Sequence, residues 1–302
     1  MKILKNKGTI GIIAPGFYPD AEKLERGIDY LEKRGFKVKR GKSLTAKKDY
    51  FAGSDALRAD DIHTMFTDSD VDAILCARGG WGSLRLLNKL DYKLINNNRK
   101  LLVGYSDITS LQLVFWKELS LPSLSGPMAA VEMSTTIDPF TGKHFWSQLL
   151  KEKETYSFKL NANSIHPLIQ GKASGTLIGG CLSMITAQLA SPYSPDYTDA
   201  ILFIEDINES LYKIDRHLAQ LLHAGVLEKI SGFIIGNFIN YDNDSAALYA
   251  LFKEYLSDFG YPVIANFPYG HSPRKISLPI GASCTIDTEK DMIEIGSCYE
   301  NL

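Results

Sequence analysis

The stretch Leu101-Leu102-Val103-Gly104-Tyr105-Ser106-Asp107-Ile108-Thr109-Ser110 constrains the fold of this chain more than any other. Its apolar run reads as a buried strand that breaks at Gly104. From Asp107 onward, Ile108, Leu111, Val114 and Phe115 fall at helical spacing. Strand, sharp turn with a serine at its apex, then helix is the geometry of a nucleophile elbow. Such a turn lifts a hydroxyl clear of the sheet and aims the first helical N–H groups at whatever that hydroxyl attacks. The usual pattern is G-x-S-x-G, and here the fifth position is Ile108. Locally, Ser106 reads equally well as only the N-cap of the helix.

The same alternation recurs along the first half. Strand-like Thr9–Ala14 leads through Pro15-Gly16 into a helix from about Asp20 to Arg34, with Leu24, Ile28 and Leu31 as its stripe. Phe36–Val38 starts a second strand, and Ser54 or Asp55 can cap the helix containing Leu57, Ile62 and Met65. Val71–Ala77 is a buried strand ending at Arg78-Gly79-Gly80-Trp81-Gly82-Ser83, after which Leu84, Leu86 and Leu87 resume a helix. Strand alternating with helix predicts an α/β fold with a parallel, doubly wound sheet and a site at the strand C-termini. From about Leu121, Pro122, Gly126-Pro127, Pro139 and Gly142 break the periodicity. The expected organisation is an N-terminal domain at 1–125, a connection at 126–167 and a C-terminal domain at 168–302. In that last part Ala200–Ile204 reads as a strand ending in Glu205-Asp206, and Val263–Ala265 as another, followed by a loop containing Gly270-His271.

Composition narrows the function classes. The net charge of −2 comes with no long basic run, so nothing points to nucleic acid or an anionic membrane surface. No apolar run approaches the roughly 18 residues of a membrane span. The basic Met1–Lys7 precedes an apolar run too short for a signal core and cut by Pro15-Gly16, so a cytoplasmic location is expected. Cys76, Cys181, Cys284 and Cys298 form no C-x-x-C pair and read as buried thiols, and the six histidines include no H-E-x-x-H, so no metal is expected. The Arg78–Ser83 loop has neither G-x-G-x-x-G nor the Lys-Ser/Thr of a P-loop, which argues against a nucleotide cofactor. Its glycines let backbone approach a ligand closely, which suits an oxyanion-hole loop beside Ser106, although a tight turn without a ligand has the same sequence.

A serine nucleophile needs a base to take its proton and an acid to orient that base. Glu205 stands where a strand is expected to end, and His271 follows another strand in a Gly/Pro-rich loop. The order Ser, Glu, His is one of the known orders. Asp206 is the rival acid. His217 is the rival base, but it flanks the apolar stripe of a helix and has a simpler structural reading, while His223 lies on that helix's polar side.

Taken together, Phe51-Ala52-Gly53-Ser54-Asp55, Arg78-Gly79-Gly80-Trp81-Gly82, Gly104-Tyr105-Ser106-Asp107, Gly126-Pro127-Met128, Ile204–Glu209 and Gly270-His271 resemble the LD-carboxypeptidase family. These are cytoplasmic serine peptidases of peptidoglycan recycling, and the resemblance runs from about Gly8 to Gly281. It implies Ser106 as nucleophile, His271 as general base, Glu205 as its partner, and the N–H groups of Asp107 and Gly80 as the oxyanion hole. The family more often has Tyr where this chain has Trp81. The implied fold is an N-terminal α/β nucleophile domain plus a C-terminal β-rich α/β domain, with the site between them, no cofactor, and a homodimeric assembly. The implied reaction removes terminal D-alanine from a muropeptide tetrapeptide. Arg78, Trp81 and Tyr105 are the expected substrate contacts, with Arg274 and Lys275 as further cations near the motifs. An immunity-type branch of the same family cleaves an aminoacyl-nucleotide antibiotic. Its members tend to carry a longer insert, and the compact chain with its Glu205–Glu209 run favours the recycling branch. A muropeptide-binding protein that has lost the chemistry is the non-enzymatic alternative.

Overall fold

The computed structural model describes residues 3–160, 165–239 and 245–299. Met1 and Lys2 of the basic N-terminus, residues 161–164 of the expected connection and residues 300–302 lie outside the described residues. The strands in chain order are β1 (Thr9–Ile13), β2 (Lys37–Arg40), β3 (Ala73–Cys76), β4 (Leu101–Gly104) and β5 (Ser123–Ser125). Then come β6 (Thr155–Lys159), β7 (His166–Ile169), β8 (Lys172–Cys181), β9 (Ala200–Ile207) and β10 (Gly232–Ile239). The last are β11 (Val263–Ala265), β12 (Leu278–Ile280), β13 (Ser283–Asp287) and β14 (Met292–Gly296).

Two sheets organise these strands. The first has the order β12-β5-β4-β3-β1-β2, and its first five strands by sequence run parallel. The second has the order β6-β14-β13-β8-β9-β10-β11-β7, with a parallel centre of β8 to β11 and antiparallel flanks. This is the α/β architecture of a parallel nucleophile sheet followed by a β-rich second half.

Apolar side chains decide the layering. Strands β3 and β4 are buried at every residue, as expected of parallel strands covered on both faces. Along β4 the faces alternate: Leu101 and Val103 join Leu24, Ile28, Leu31 and Phe145 on one side, while Leu102 joins Ile62, Phe66, Leu111 and Phe115 on the other. The helix Ala21–Lys33 presents its stripe of Leu24, Ile28 and Leu31 to the first of these cores, and Asp20 caps it by accepting from the Lys23 N–H. Ser54 caps the helix Asp55–Thr67 in the same way. In the second sheet, Leu202, Ile204, Phe233 and Ile235 pack on Ile214, Leu218 and Leu221 of the helix Leu211–His223.

The two halves are tied together by the tail of the chain. After the His271 loop, β12 leaves the second half and pairs antiparallel with β5 on the edge of the first sheet, Leu278 opposite Ser125. Cys298 and Tyr299 then return to the core beneath the first sheet. The stretch expected as a connection carries a helix, Pro139–Leu149, whose Phe145, Trp146 and Leu149 belong to that same core. Among the described residues, no helix is long and apolar enough to cross a membrane.

Candidate active site

Strand β4 ends at Gly104, where an added Cβ would lie 3.0 Å from Ile108 Cγ1 and 3.1 Å from Cys76 Cβ. Tyr105 continues extended, and Ser106 then adopts φ +64°, the left-handed region that a non-glycine residue enters at a cost of about 1–2 kcal/mol. The helix Thr109–Leu119 follows through one turn of 3₁₀ helix, and neither has a side-chain cap. Ser106 is therefore an elbow residue, and the N-cap alternative falls. Gln112 Nε2 donates to the Gly104 carbonyl at 3.0 Å and holds the turn from the helix side.

Ser106 Oγ lies 3.2 Å from Nε2 of His271, and Nδ1 of His271 lies 2.7 Å from Oε2 of Glu205. The three side chains come from three places: the elbow of the first sheet, the interior of β9, and the loop after β11. Strand β9 runs to Ile207 rather than stopping at Ile204, so Glu205 sits within it, opposite Cys181 at the end of β8. Gly270, at φ +123°, lets the loop press on the carboxylate: a Cβ there would stand 2.8 Å from Glu205 Oε2. Glu205 has no exposed surface. Burial pushes its carboxyl above the ordinary value, and the hydrogen bond with His271 opposes that shift.

The rivals are occupied elsewhere. Asp206 turns to the other face of β9, where it accepts from the Ser183 N–H at 2.8 Å at the start of the helix Leu182–Gln188. His217 Nδ1 pairs with Thr186 Oγ at 2.7 Å, and burial holds its imidazole below the usual value.

The glycine loop lies directly on the elbow. A Cβ on Gly79 would meet Ser106 Cβ at 3.0 Å and the Asp107 N at 3.3 Å, so only glycine allows this approach. Asp107 fastens the loop: its buried carboxylate accepts from the Ser83 N–H at 3.0 Å, and its carbonyl accepts from Ser83 Oγ at 2.5 Å. Gly79 and the N–H of Asp107 thus belong to one junction of loop and elbow, while the next residue, Gly80, lies against Phe17.

Two family models match this chain, the LD-carboxypeptidase N-terminal domain over residues 10–126 and the LD-carboxypeptidase C-terminal domain over residues 174–286. The chain belongs to the LD-carboxypeptidase family. It is 38% identical over 300 residues to the probable murein peptide carboxypeptidase of Bacillus subtilis (strain 168), covering 96% of this chain and 93% of that protein. A muramoyltetrapeptide carboxypeptidase from Oxalobacter formigenes has the same fold, with TM-score 0.85 and 30% identity, covering 96% of this chain and 99% of that chain. MccF in complex with glutamyl sulfamoyl guanosine matches with TM-score 0.90 at 26% identity, covering 98% of each chain.

Within this member of the family, a groove of about 640 Å³ opens beside the elbow, lined by Tyr50, Phe51, Trp81, Leu84, Asp107 and Met184. Trp81 is 61% exposed at its mouth, its ring 5.4 Å from that of Phe17. Arg78 is half-buried with its guanidinium stacked 4.6 Å over Phe17, and no carboxylate among the described residues pairs with it. Burial holds it below the usual arginine value. Arg274 stacks on Phe140 instead.

Two sequence expectations need correction. Tyr105 is 3% exposed and its hydroxyl donates to Glu132 Oε1 at 2.7 Å, so its side chain points into the core rather than the groove. Lys275 is 1% exposed and its Nζ lies 2.5 Å from the same oxygen. Tyr105, still extended after β4, packs in the core that holds Leu102, Ile108 and Leu111, and the chain turns away from it at Ser106 with φ +64°. Glu132 went unnoticed in the sequence. Its only signal was a lone carboxylate between Val131 and Met133.

Proposed function

We propose that this protein is a cytoplasmic serine LD-carboxypeptidase that removes the terminal D-alanine from muropeptide tetrapeptides in peptidoglycan recycling. The carrying observation is the relay itself: a strained serine within 3.2 Å of an imidazole whose other nitrogen meets a fully buried carboxylate at 2.7 Å. The names of the Bacillus subtilis and Oxalobacter formigenes relatives support the substrate class.

In this reading Ser106 Oγ attacks the carbonyl carbon of the third residue, the L-centre of meso-diaminopimelate. His271 Nε2 takes the hydroxyl proton while Glu205 holds Nδ1–H and stabilises the imidazolium that forms. The backbone N–H groups of Asp107 and Gly80 receive the tetrahedral oxyanion, a contribution typically worth about 2.7–4 kcal/mol per donor. His271 then passes its proton to the departing amine of D-alanine, leaving an acyl-enzyme on Ser106. Water, deprotonated by His271, attacks that ester and restores the serine. No cofactor takes part in any of these steps. Arg78, a half-buried cation without a carboxylate partner among the described residues, would hold a carboxylate of the substrate, and Trp81 would form the rim of the pocket. A homodimer is the assembly this reading expects.

A second reading has one specific observation behind it, the likeness to MccF bound to glutamyl sulfamoyl guanosine. There the same relay would cleave the acyl amide of an aminoacyl nucleotide. The deciding experiment is mass spectrometry of L-Ala-γ-D-Glu-meso-diaminopimelate-D-Ala incubated with wild type and Ser106→Ala, beside a control peptide ending in L-alanine. Loss of one alanine from the D-ended peptide, with wild type only, is expected. Equal turnover by Ser106→Ala would sink the mechanism, and loss from neither peptide would shift the assignment to the nucleotide conjugate.

A further inference from the structure

Beneath the relay lies an ion pair that the proposed chemistry does not use. Lys275 Nζ and Glu132 Oε1 are 2.5 Å apart, and their side chains are 2% and 9% exposed. Glu132 is fully engaged: Oε1 also accepts from the Tyr105 hydroxyl at 2.7 Å, and Oε2 accepts from the Met128 N–H at 3.0 Å. Burial alone would raise the Glu132 carboxyl, but the Lys275 charge and hydrogen bond outweigh it and hold it below the ordinary value. The Lys275 ammonium sits 4.1 Å from the centre of the Tyr105 ring, and that ring stands 5.0 Å from the imidazole of His271.

Stability is a poor explanation for such a pair. Desolvating two charges costs much of what their attraction returns, and apolar residues of the same volume commonly replace buried pairs without loss. The position of the pair is more informative. Tyr105 immediately precedes Ser106, Glu132 lies in the turn after β5, and Lys275 follows His271 by four residues. One cluster therefore joins the serine elbow to the histidine loop. The backbone of that loop is held at the same place, since Thr141 Oγ donates to the Pro273 carbonyl at 2.8 Å and accepts from the Lys275 N–H at 2.9 Å.

We propose that Lys275, held by Glu132 and Tyr105, is a positioning residue that fixes the His271 loop against the Ser106 elbow and sets positive charge beneath the Glu205–His271 dyad. The groups facing Glu205 are Asp206 on its own strand, Cys181 from β8, Tyr269 and His271 from the loop, Tyr105 from the elbow, and Lys275. Lys275 is the permanent cation among them, and its field favours the ionised carboxylate that burial disfavours.

The test is Lys275→Met combined with Glu132→Gln, which leaves no lone buried charge and lets the amide serve both the Met128 N–H and the Tyr105 hydroxyl. The inference rests on the serine-peptidase reading, so two measurements are needed. With the D-ended tetrapeptide, kcat should fall about tenfold at nearly unchanged KM. The acidic limb of the kcat/KM profile, which reports the dyad as one unit, should move up by about half a pH unit. Hydrogen exchange, which needs no substrate, should be about tenfold faster across Gly270–Lys275 and unchanged in β4. Wild-type exchange in that loop would overturn the positioning role whether or not the substrate reading holds. Faster exchange with wild-type kcat and pH profile would overturn the influence on the dyad. A wild-type enzyme inert toward the tetrapeptide would count against the substrate reading alone, leaving the exchange result to decide the inference.

Discussion

Gly79→Ala tests whether the loop-on-elbow contact positions the serine. The new methyl would stand 3.0 Å from Ser106 Cβ, 3.2 Å from the Tyr105 carbonyl oxygen and 3.3 Å from the Asp107 N. All three neighbours belong to the elbow, two of them are backbone atoms, and none is the free end of a flexible side chain. The elbow must therefore yield by a few tenths of an ångström, and overpacking of this kind costs about 1–3 kcal/mol. The Ser106–His271 contact is 3.2 Å, so even a small shift takes the hydroxyl toward the edge of hydrogen-bond reach. A 1 Å misplacement can cost about a hundredfold in rate, so a shift of a few tenths predicts a loss of about tenfold in kcat. Gly225→Ala is the control. It lies at φ +69° with nothing within 4 Å of the added methyl, so it carries only the left-handed backbone cost of about 1–2 kcal/mol. Both variants should lower Tm by a few degrees, about 2–4 °C per kcal/mol in a chain of this size. Only Gly79→Ala should lose turnover on the D-ended tetrapeptide. If the two variants turn over at the same rate, the close approach of the loop does not position the nucleophile.

Glu205→Gln should separate stability from activity. The folded carboxyl is raised by burial, so the folded state binds protons more tightly than the unfolded chain. Stability from that proton is complete below the unfolded value of about 4.3 and is lost as pH rises through the folded one. The glutamine variant should then melt no lower than wild type at pH 7 to 8, where the buried charge is costly, while kcat falls by roughly 10²–10⁴; a lower melting point at neutral pH would contradict it. His217→Gln should keep turnover within about twofold, because that ring is committed to Thr186, and a large loss of kcat would reopen the choice of base. All four cysteines are free and buried, and burial pushes the thiols of Cys76, Cys284 and Cys298 far above their ordinary value. A thiol reagent should label none of them in the native protein and all of them once it is unfolded.

The parts of the fold legible in the sequence are those decided by local chemistry. The first helix begins beside Asp20 as read, Ser54 rather than Asp55 caps the next, and the Leu24, Ile28, Leu31 stripe is buried as its spacing implies. Ser106 and His271 lie past strand ends as read, where loops at the C-terminal ends of parallel strands gather, whereas Glu205, read at a strand end, sits inside β9. What stayed hidden depends on partners distant in sequence. The tail from Ile276 reads as short strands, but nothing in the three residues of β12, Leu278-Pro279-Ile280, announces that it pairs with β5 on the first sheet. The helix Pro139–Leu149 did carry a local signal, Asp138 as cap with Pro139 in the first turn, but the neighbouring glycine and prolines read as a break. Lys275 shows the opposite failure. A cation beside the His271 loop reads as a substrate contact, and nothing nearby in sequence announces that Glu132, 143 residues earlier, will bind it inside the core.

The relay draws on both halves of the chain, so what holds them in register matters as much as the triad residues. Besides the β5–β12 pairing, one buried hydrogen bond does this directly. Ser125 Oγ at the end of β5 and the Tyr269 hydroxyl, two residues before His271, are 2.7 Å apart, and both residues are essentially unexposed. Tyr269→Phe leaves the Ser125 hydroxyl buried without that partner, and Ser125→Ala does the same to the tyrosine. Each single variant should therefore cost about 1–3 kcal/mol. Removing both leaves neither group stranded, so the double variant should be less destabilised than the sum of the singles by about 1 kcal/mol or more. Denaturant unfolding gives the three stabilities, and the tetrapeptide assay run beside it shows whether turnover follows the same pattern. Turnover that falls in both singles and partly recovers in the double would mean that a stranded hydroxyl displaces the histidine loop. Strictly additive stabilities would refute the coupling, leaving the β5–β12 pairing and the Lys275–Glu132 cluster to hold serine and histidine together.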